Sequence, residues 1–263
     1  MKDVSGKNKI LLLSVPFSAK SSAVPKMENH GLCYIKACLI YHGFQVHMID
    51  GNALDIPWHE AINRLNLGDY FLAGFSVYST NYNNSIKLIK AMRKAGFTGH
   101  ITMGGHYPTF SWHVILKNNG TIDSIITGEG ETPVVSLAEA LQAGKDWQGI
   151  EGLAYRKDEE IISNPCGALI NPLTFPFLPD RDSYGDLLKN QNFATISSSR
   201  GCRGNCTFCS VRSFYKQGQG PCWRPRIAED IVDEIEHLNK NGISNFAFCD
   251  DNFMGVGKDG KLR

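Results

Sequence analysis

The chain has 263 residues, of which 42% are hydrophobic and 20% are charged, and its formal net charge is +1. This ordinary globular balance excludes a strongly basic surface for nucleic acid, and no apolar run approaches the roughly 20 residues of a membrane-spanning helix. Five of the eight cysteines are scattered and three are clustered. With no recognisable secretion signal, this pattern indicates a reducing cytoplasm and a metal site rather than a set of disulfides.

The first half of the chain alternates predicted strands with predicted helices. The predicted strands are residues 10–15, 45–49, 70–78, 100–103 and 122–127, and the predicted helices are residues 31–42, 84–94, 111–117 and 132–143. This order is typical of an α/β fold with a doubly wound parallel sheet. Such sheets bind ligands beyond the carboxyl ends of their strands. Polar and glycine-rich loops fall there, at residues 76–81, 104–109 and 128–131, and they predict a ligand-binding face.

A predicted hairpin and a proline-rich connector follow this half. Residues 152–155 and 161–163 flank a polar turn, and four prolines then punctuate the chain up to about Tyr184. Beyond them, the pattern predicts a strand at residues 193–198, a helix at 228–241 and a strand at 245–249, which is the start of a β/α barrel. We therefore divide the chain into an α/β domain (1–148), a hairpin and linker (149–190) and the first part of a barrel (191–263). A βαβ unit takes about 30 residues, so we expect this sequence to hold an incomplete barrel.

Three clustered cysteines are the strongest chemical signal. They are Cys202, Cys206 and Cys209, with the spacing C-x-x-x-C-x-x-C. A structural zinc site usually has four closed ligands, whereas three thiolates suit a 4Fe-4S cluster with one iron left open. Gly201 and Gly204 allow the backbone to wrap closely and to point N–H groups at the sulfurs. A zinc site completed by Cys222 or by a nearby histidine is the alternative.

This loop resembles that of the radical S-adenosylmethionine (radical SAM) enzymes, in which an aromatic residue, here Phe208, precedes the last cysteine. The resemblance implies that each cysteine ligates one iron and that S-adenosyl-L-methionine binds the fourth. The resemblance further implies that one electron, from a reductant such as flavodoxin or ferredoxin, cleaves the S-adenosylmethionine. This cleavage gives a radical that abstracts hydrogen from the substrate. The resemblance also places Phe208, Asp250 and Asp251 near the S-adenosylmethionine. Adjacent strand residues point to opposite faces, so at most one of the two aspartates should point inward. An acidic pair capping a turn is the alternative.

The glycine-rich runs at 104–109 and 128–131 and the proline-rich run at 171–176, in this order before the cysteine loop, resemble the cobalamin-dependent radical SAM enzymes. The resemblance implies a Rossmann-like cobalamin-binding domain. The implied cobalamin contacts are Ser76, Tyr78, Ser79, Thr80, Gly104, Gly105, His106, Gly128, Glu129, Gly130 and Glu131. A solvated loop at 76–80 and a polar surface role for His106 and for His30 are the alternatives. Many other cobalamin domains ligate the cobalt through the histidine of a D-x-H-x-x-G loop. No such run occurs in this sequence, so we do not expect a histidine from such a loop to ligate the lower face of the cobalt.

The family's common reaction is methyl transfer to an unactivated carbon, and we expect it here, on a small-molecule or peptide substrate that the sequence does not identify. Ring formation or rearrangement is an alternative within the same family. A transfer-RNA methylthiotransferase would need three further cluster cysteines, but the first domain offers only Cys33 and Cys38, both on one predicted helix. A non-catalytic module that binds cobalamin or a cluster is the alternative outside the enzymes.

Overall fold

A sheet of seven strands organises the part of the chain that the structure describes. This computed structural model describes residues 9–17, 26–57, 60, 63, 65–172 and 175–254. The strand order is β2-β1-β3-β4-β5-β6-β7. The strands are β1 (Lys9–Ser14), β2 (Gln45–Asp50), β3 (Tyr70–Ser76), β4 (His100–Gly104), β5 (Ser124–Ile126), β6 (Leu153–Lys157) and β7 (Glu160–Ser163). The helices of this half are α1 (His30–Tyr41), α2 (Tyr82–Lys94), α3 (His106–Asn118) and α4 (Glu131–Gln142).

The central strand β1 shows why the chain folds this way. It pairs in parallel with β2 on one side and with β3 on the other. Its side chains alternate between two hydrophobic clusters: Leu12 packs with residues of α1 and α4, and Leu11 packs with residues of α2 and α3. Both faces of the sheet are therefore covered by helices, as a continuous apolar strand requires. The predicted doubly wound α/β fold is confirmed.

Parallel pairing also brings the predicted ligand loops together. Ser14 lies opposite Ser76, and Ser76 lies opposite Gly104, so β1, β3 and β4 end at one edge of the sheet. The predicted loop at 104–109 is wrong in extent, because helix α3 already begins at His106. Gly104 and Gly105 indicate a turn, but Pro108 lies in the first helical turn, where proline is tolerated. Gly105 has a φ of +104°, and a Cβ there would lie 3.0 Å from the Val77 carbonyl oxygen.

The hairpin β6–β7, which we assigned to the linker, extends this sheet. It pairs antiparallel onto β5, with Ser124 opposite Tyr155. The connector that follows packs against the first half. Asp180 accepts a hydrogen bond from Lys36 of α1 at 2.6 Å, and the Tyr184 hydroxyl donates to Asp50 at 2.9 Å. Residues 173 and 174 of the predicted proline-rich run lie outside the described residues.

The second half contains the predicted strand–helix–strand unit. Its elements are α5 (Gly185–Gln191), β8 (Phe193–Ile196), β9 (Ser199–Arg200), α6 (Val211–Tyr215), β10 (Arg224–Pro225), α7 (Ala228–Lys240) and β11 (Asn245–Phe248). Strands β8 and β11 are parallel, and β9 and β10 form a short antiparallel ribbon. Ile196 and Leu238 belong to the same hydrophobic cluster as Leu12 of β1, so one apolar interior runs through both halves. None of the described helices is long and apolar enough to cross a membrane.

Candidate functional site

A cavity of about 360 Å³ lies beyond the carboxyl ends of β1, β3, β4 and β5. Nine of the eleven predicted cobalamin contacts line it. They are Ser76, Tyr78, Gly104, Gly105, His106, Gly128, Glu129, Gly130 and Glu131. The other two, Ser79 and Thr80, lie in the exposed turn before α2 and do not line the cavity. The opposite wall comes from the second half, through Ser199 and Arg200 of β9 and Tyr215 of α6.

The inner end of the cavity is apolar and is kept open by glycine. Leu12, Ile126 and Val134 line this end. A Cβ at Gly74 would lie 3.0 Å from Leu12 Cδ2, and a Cβ at Gly130 would lie 3.1 Å from Ile35 Cδ1. Any side chain at these positions would narrow the space. An apolar recess below a rim of backbone and hydroxyl groups is suited to a flat, bulky ligand with polar edges.

The turn after β3 is partly built from buried hydrogen bonds. The Asn81 side chain is fully buried, accepts from the Tyr78 backbone N–H at 2.8 Å and donates to the Val15 carbonyl at 3.2 Å. The Ser76 hydroxyl accepts from the Asn29 side chain at 3.1 Å. The loop, for which a solvated position was the alternative, is therefore anchored at both of its ends, while Tyr78 remains 42% exposed at the cavity.

Asp250 and Asp251 point in different directions, as the sequence analysis expected. Asp250 accepts hydrogen bonds from the backbone N–H and the hydroxyl of Ser198, at 3.1 and 2.9 Å, and so joins the ends of β8 and β11. Asp251 lines the cavity and accepts from the Gly201 N–H and the Tyr215 hydroxyl. Burial raises the pKa of Asp251, although its hydrogen bonds oppose the shift. Both the capping role and the inward-facing role therefore occur, one on each residue.

Two histidines line the cavity in partly buried positions. The His106 ring stacks on Phe214 with its centroid 4.2 Å away, and burial lowers the pKa of His106 despite the opposing charge of Asp251. Burial and the charges of Arg181, Arg200 and Arg226 lower the pKa of His30 well below its usual value. Both shifts favour the neutral form of the imidazole.

The three clustered cysteines are free thiols in the loop between β9 and α6. Cys206 and Cys209 are exposed, and Cys202 is half-buried. The Gly204 N–H donates to Cys202 Sγ at 3.2 Å, which confirms the expected donor at Gly204, whereas the Gly201 N–H donates to Asp251 instead. The Asn252 side chain donates to the same sulfur at 3.5 Å. Gly201 has a φ of +79°, and a Cβ there would lie 1.7 Å from the Cys222 carbonyl oxygen. Phe208 is 91% exposed beside the thiols.

The chemistry of the donor set fits an iron–sulfur cluster. Among the described residues, no group of three His, Cys, Asp or Glu side chains is placed to hold a single metal ion. In a 4Fe-4S cluster each thiolate binds a different iron, so the three sulfurs stand apart from one another. Three soft thiolates with a backbone donor to one sulfur fit that arrangement.

The carboxylates of Glu129 and Glu131 contact arginines of the second half. Arg200 donates to Glu129 at 3.2 Å and to Glu131 at 2.6 Å, and Arg224 donates to Glu129 at 2.8 and 2.9 Å. Burial disfavours the charged form of Glu129, but the hydrogen bond from Arg224 and the charge of Arg200 outweigh it and lower the pKa. The side chains of Arg224 and Arg226 are buried, and they form ion pairs with Glu129 and Glu234.

Comparisons with known proteins agree with this geometry. Residues 20–138 match the B12 binding domain family. The chain is 27% identical over 227 residues to an uncharacterised methyltransferase of Pyrococcus horikoshii, covering 85% of this chain and 48% of that protein. It is 29% identical over 260 residues to an anaerobic magnesium-protoporphyrin IX monomethyl ester cyclase of Synechocystis, covering 93% and 50%. It is 28% identical over 232 residues to a putative methylthiotransferase of Methanocaldococcus jannaschii, covering 85% and 45%.

A solved structure shares the fold. The radical S-adenosylmethionine methyltransferase TsrM from Kitasatospora setae, with cobalamin and a [4Fe-4S] cluster bound, superposes with a TM-score of 0.75 at 18% identity, covering 94% of this chain and 48% of that one. The segment that matches the B12 binding domain is thus followed by a cysteine loop on a strand–helix–strand unit. The resemblance of this chain to cobalamin-dependent radical SAM proteins is confirmed. The chain spans about half the length of the curated relatives that it matches.

Proposed function

We propose that this chain belongs to an enzyme that binds cobalamin in the cavity and a 4Fe-4S cluster with S-adenosylmethionine at the cysteine loop, and that it transfers a methyl group to carbon. The observation that carries the proposal is that residues on both sides of the three cysteines line the cavity. Ser199 and Arg200 precede the cysteines, Tyr215 follows them, and all three line the cavity together with the glycine-rich ends of β4 and β5. This arrangement supports two neighbouring cofactor sites.

The residues of this chain hold and shield the cofactors. When bound, the cluster and S-adenosylmethionine supply a radical that activates a carbon–hydrogen bond, and cobalamin supplies the methyl group. Cys202, Cys206 and Cys209 hold three irons, and the Gly204 N–H stabilises the charge on one sulfur. The Asp251 carboxylate lies between cavity and cluster loop, where it can accept a hydrogen bond from an ammonium group. The aromatic rings of Tyr34, Phe214 and Tyr215 exclude water from the wall.

Ring formation is the second candidate, because a relative named as a cyclase aligns with 93% of this chain. The cofactor-holding residues would serve either reaction, so the product distinguishes the two. A methylthiotransferase with a second cluster is disfavoured by the position of Cys33 and Cys38. Both thiols are buried inside α1, and burial raises the pKa of Cys38 to about 12. Burial therefore disfavours the thiolate form that a second cluster would need at these positions.

The cellular compartment and the electron donor are proposed from the chemistry of the cysteines and of the cluster. All eight cysteines are unpaired, which favours a reducing cytoplasm. The cluster needs one electron for each cleavage, and a small redox protein such as flavodoxin or ferredoxin would supply it. We propose a small molecule or a peptide as the substrate, because side chains of both halves line the cavity.

Anaerobic reconstitution with iron and sulfide, followed by addition of cobalamin, tests the proposal. We expect about four irons per chain, a cluster signal in electron paramagnetic resonance (EPR), a changed cobalamin absorption spectrum, and 5′-deoxyadenosine from S-adenosylmethionine under reducing conditions. A variant with all three loop cysteines changed to alanine should bind cobalamin but no iron. Tetrahedral zinc with no iron uptake would end the radical hypothesis. A cobalamin spectrum that stays unchanged would remove the second cofactor.

A further inference from the structure

The segment that carries the three cysteines is closed at its base by the short ribbon β9–β10. Arg200 ends β9, Arg224 begins β10, and the two residues are antiparallel partners. The two ends of the segment 201–223 therefore lie side by side at this ribbon. The position of the whole segment depends on the contacts that the ribbon makes with the rest of the protein.

One carboxylate holds both ends of the segment. Arg200 Nη1 lies 3.2 Å from Glu129 Oε1, and the two Nη atoms of Arg224 lie 2.8 and 2.9 Å from Glu129 Oε2 and Oε1. The Ile170 backbone N–H also donates to Glu129 Oε2, at 2.8 Å. The three charged side chains are 15%, 6% and 7% exposed for Arg200, Arg224 and Glu129. Four donors thus occupy the carboxylate, which leaves it saturated by protein groups.

The surroundings keep both guanidinium groups in this geometry. Arg200 lies over the rings of Tyr34 and Phe175, at 4.9 and 5.1 Å, and Arg224 lies over the ring of Tyr215, at 5.1 Å. These rings fix the planes in which the arginines can pair. Arg200 has Glu131 as a second partner, whereas among the described residues Glu129 is the carboxylate that pairs with Arg224. A buried ion pair that loses one member leaves an uncompensated charge.

We propose that Glu129 is a positioning residue that sets the cysteine segment against the cavity and couples the place of the segment to occupancy of the cavity. The inference rests on the proposed function, because the segment is taken to hold the cluster. Glu129 lies in the loop between β5 and α4, and its neighbours Gly128 and Gly130 line the cavity with their backbone. A ligand that contacts and displaces this loop would therefore move Glu129, the residue that pairs with both ends of the segment.

Glu129→Gln (E129Q) keeps the size of the side chain and removes its charge. Glu139→Gln is the matched control, because Glu139 is exposed on α4, away from the cavity. The first measurement is amide hydrogen exchange of the chain without cofactors. We expect residues 201–223 to exchange about a hundredfold faster in E129Q, with β1 to β4 unchanged. Exchange in this segment that equals that of the control would overturn the proposal, whether or not the protein takes up iron.

The second measurement is the EPR spectrum of the reduced, reconstituted cluster, recorded with and without cobalamin. In the wild type and in E139Q, we expect cobalamin to change the line shape. In E129Q this change should be lost, although the absorption spectrum still reports cobalamin binding. An identical response in E129Q refutes the positioning role and leaves the proposed function intact, whereas a wild type without iron uptake refutes the proposed function itself. If E129Q does not fold, E129Q combined with R224Q removes the unpaired cation and is measured in the same way.

Discussion

Replacing Gly201 by alanine should displace the cysteine loop, and the cost can be worked out from two separate terms. The residue has a φ of +79°, and a Cβ would lie 1.7 Å from the Cys222 carbonyl oxygen. A left-handed backbone costs an L-residue about 1–2 kcal/mol. The overlap with backbone cannot be relieved by turning a side chain, and forced repacking of this kind costs about 1–3 kcal/mol. We expect the free energy of unfolding to fall by about 3.5 kcal/mol, the middle of the summed range of about 2–5 kcal/mol.

Two other glycines separate these terms. Gly144 has a φ of +62° with nothing within 4 Å of its Cβ position, so Gly144→Ala should lose only the backbone term, about 1 kcal/mol. Gly149 has an ordinary φ and open space, so Gly149→Ala should change stability by about 0.5 kcal/mol or less. Urea denaturation of the three variants gives the order. If Gly201→Ala were no less stable than Gly144→Ala, the reasoning from the Cys222 contact would be refuted.

Three further changes test other parts of the structure. Gly74→Val should fill the apolar end of the cavity beside Leu12 and weaken cobalamin binding by at least about tenfold in an absorption titration, and an unchanged affinity would place cobalamin elsewhere. Asp180→Ala should leave the buried Lys36 ammonium unpaired and lower the free energy of unfolding by about 3 kcal/mol in urea denaturation, with the exposed Asp186→Ala as the near-neutral control. His30 has a pKa lowered by burial and by Arg181, Arg200 and Arg226, so the unfolded chain binds its proton first as pH falls below 6.5. Stability should therefore decrease from pH 7.5 to pH 5.5, and His30→Asn should flatten the slope in thermal unfolding. An equal slope in the variant would show that other groups cause the decrease.

The sequence predicted the parts of the fold that depend on local pattern. Strand β1 is a continuous apolar run, and α1, α2 and α4 each end near a glycine that favours a left-handed turn. The hairpin β6–β7 was predicted as a hairpin, but its pairing with β5 was not, because no local signal tells which edge it joins. The ribbon β9–β10 has two residues on each side, which is too short for any periodicity to reveal.

The sequence predicted the part of the candidate site that depends on the order of the strands. Parallel strands bring their carboxyl ends to one edge, so Ser76, Gly104 and Gly128 could be placed at the cavity from chain order alone. The role of Arg224 could not be predicted, because its partner Glu129 lies 95 residues away in the sequence. The glycine at 74 reads in sequence as an unremarkable member of a buried strand. Its role becomes visible only with Leu12 of the neighbouring strand in place.

The apolar interior that runs from Leu12 through Ile196 to Leu238 has a consequence for anyone who wishes to recombine these proteins. A chimera that takes its first half from this chain and its second half from a homologue would join two apolar surfaces that did not evolve together. A junction near residue 190 would divide a single hydrophobic core, because residues from both sides of the junction pack in the same cluster. Swaps that carry α5, β8 and α7 along with the first half should yield soluble hybrids more often than swaps that divide them.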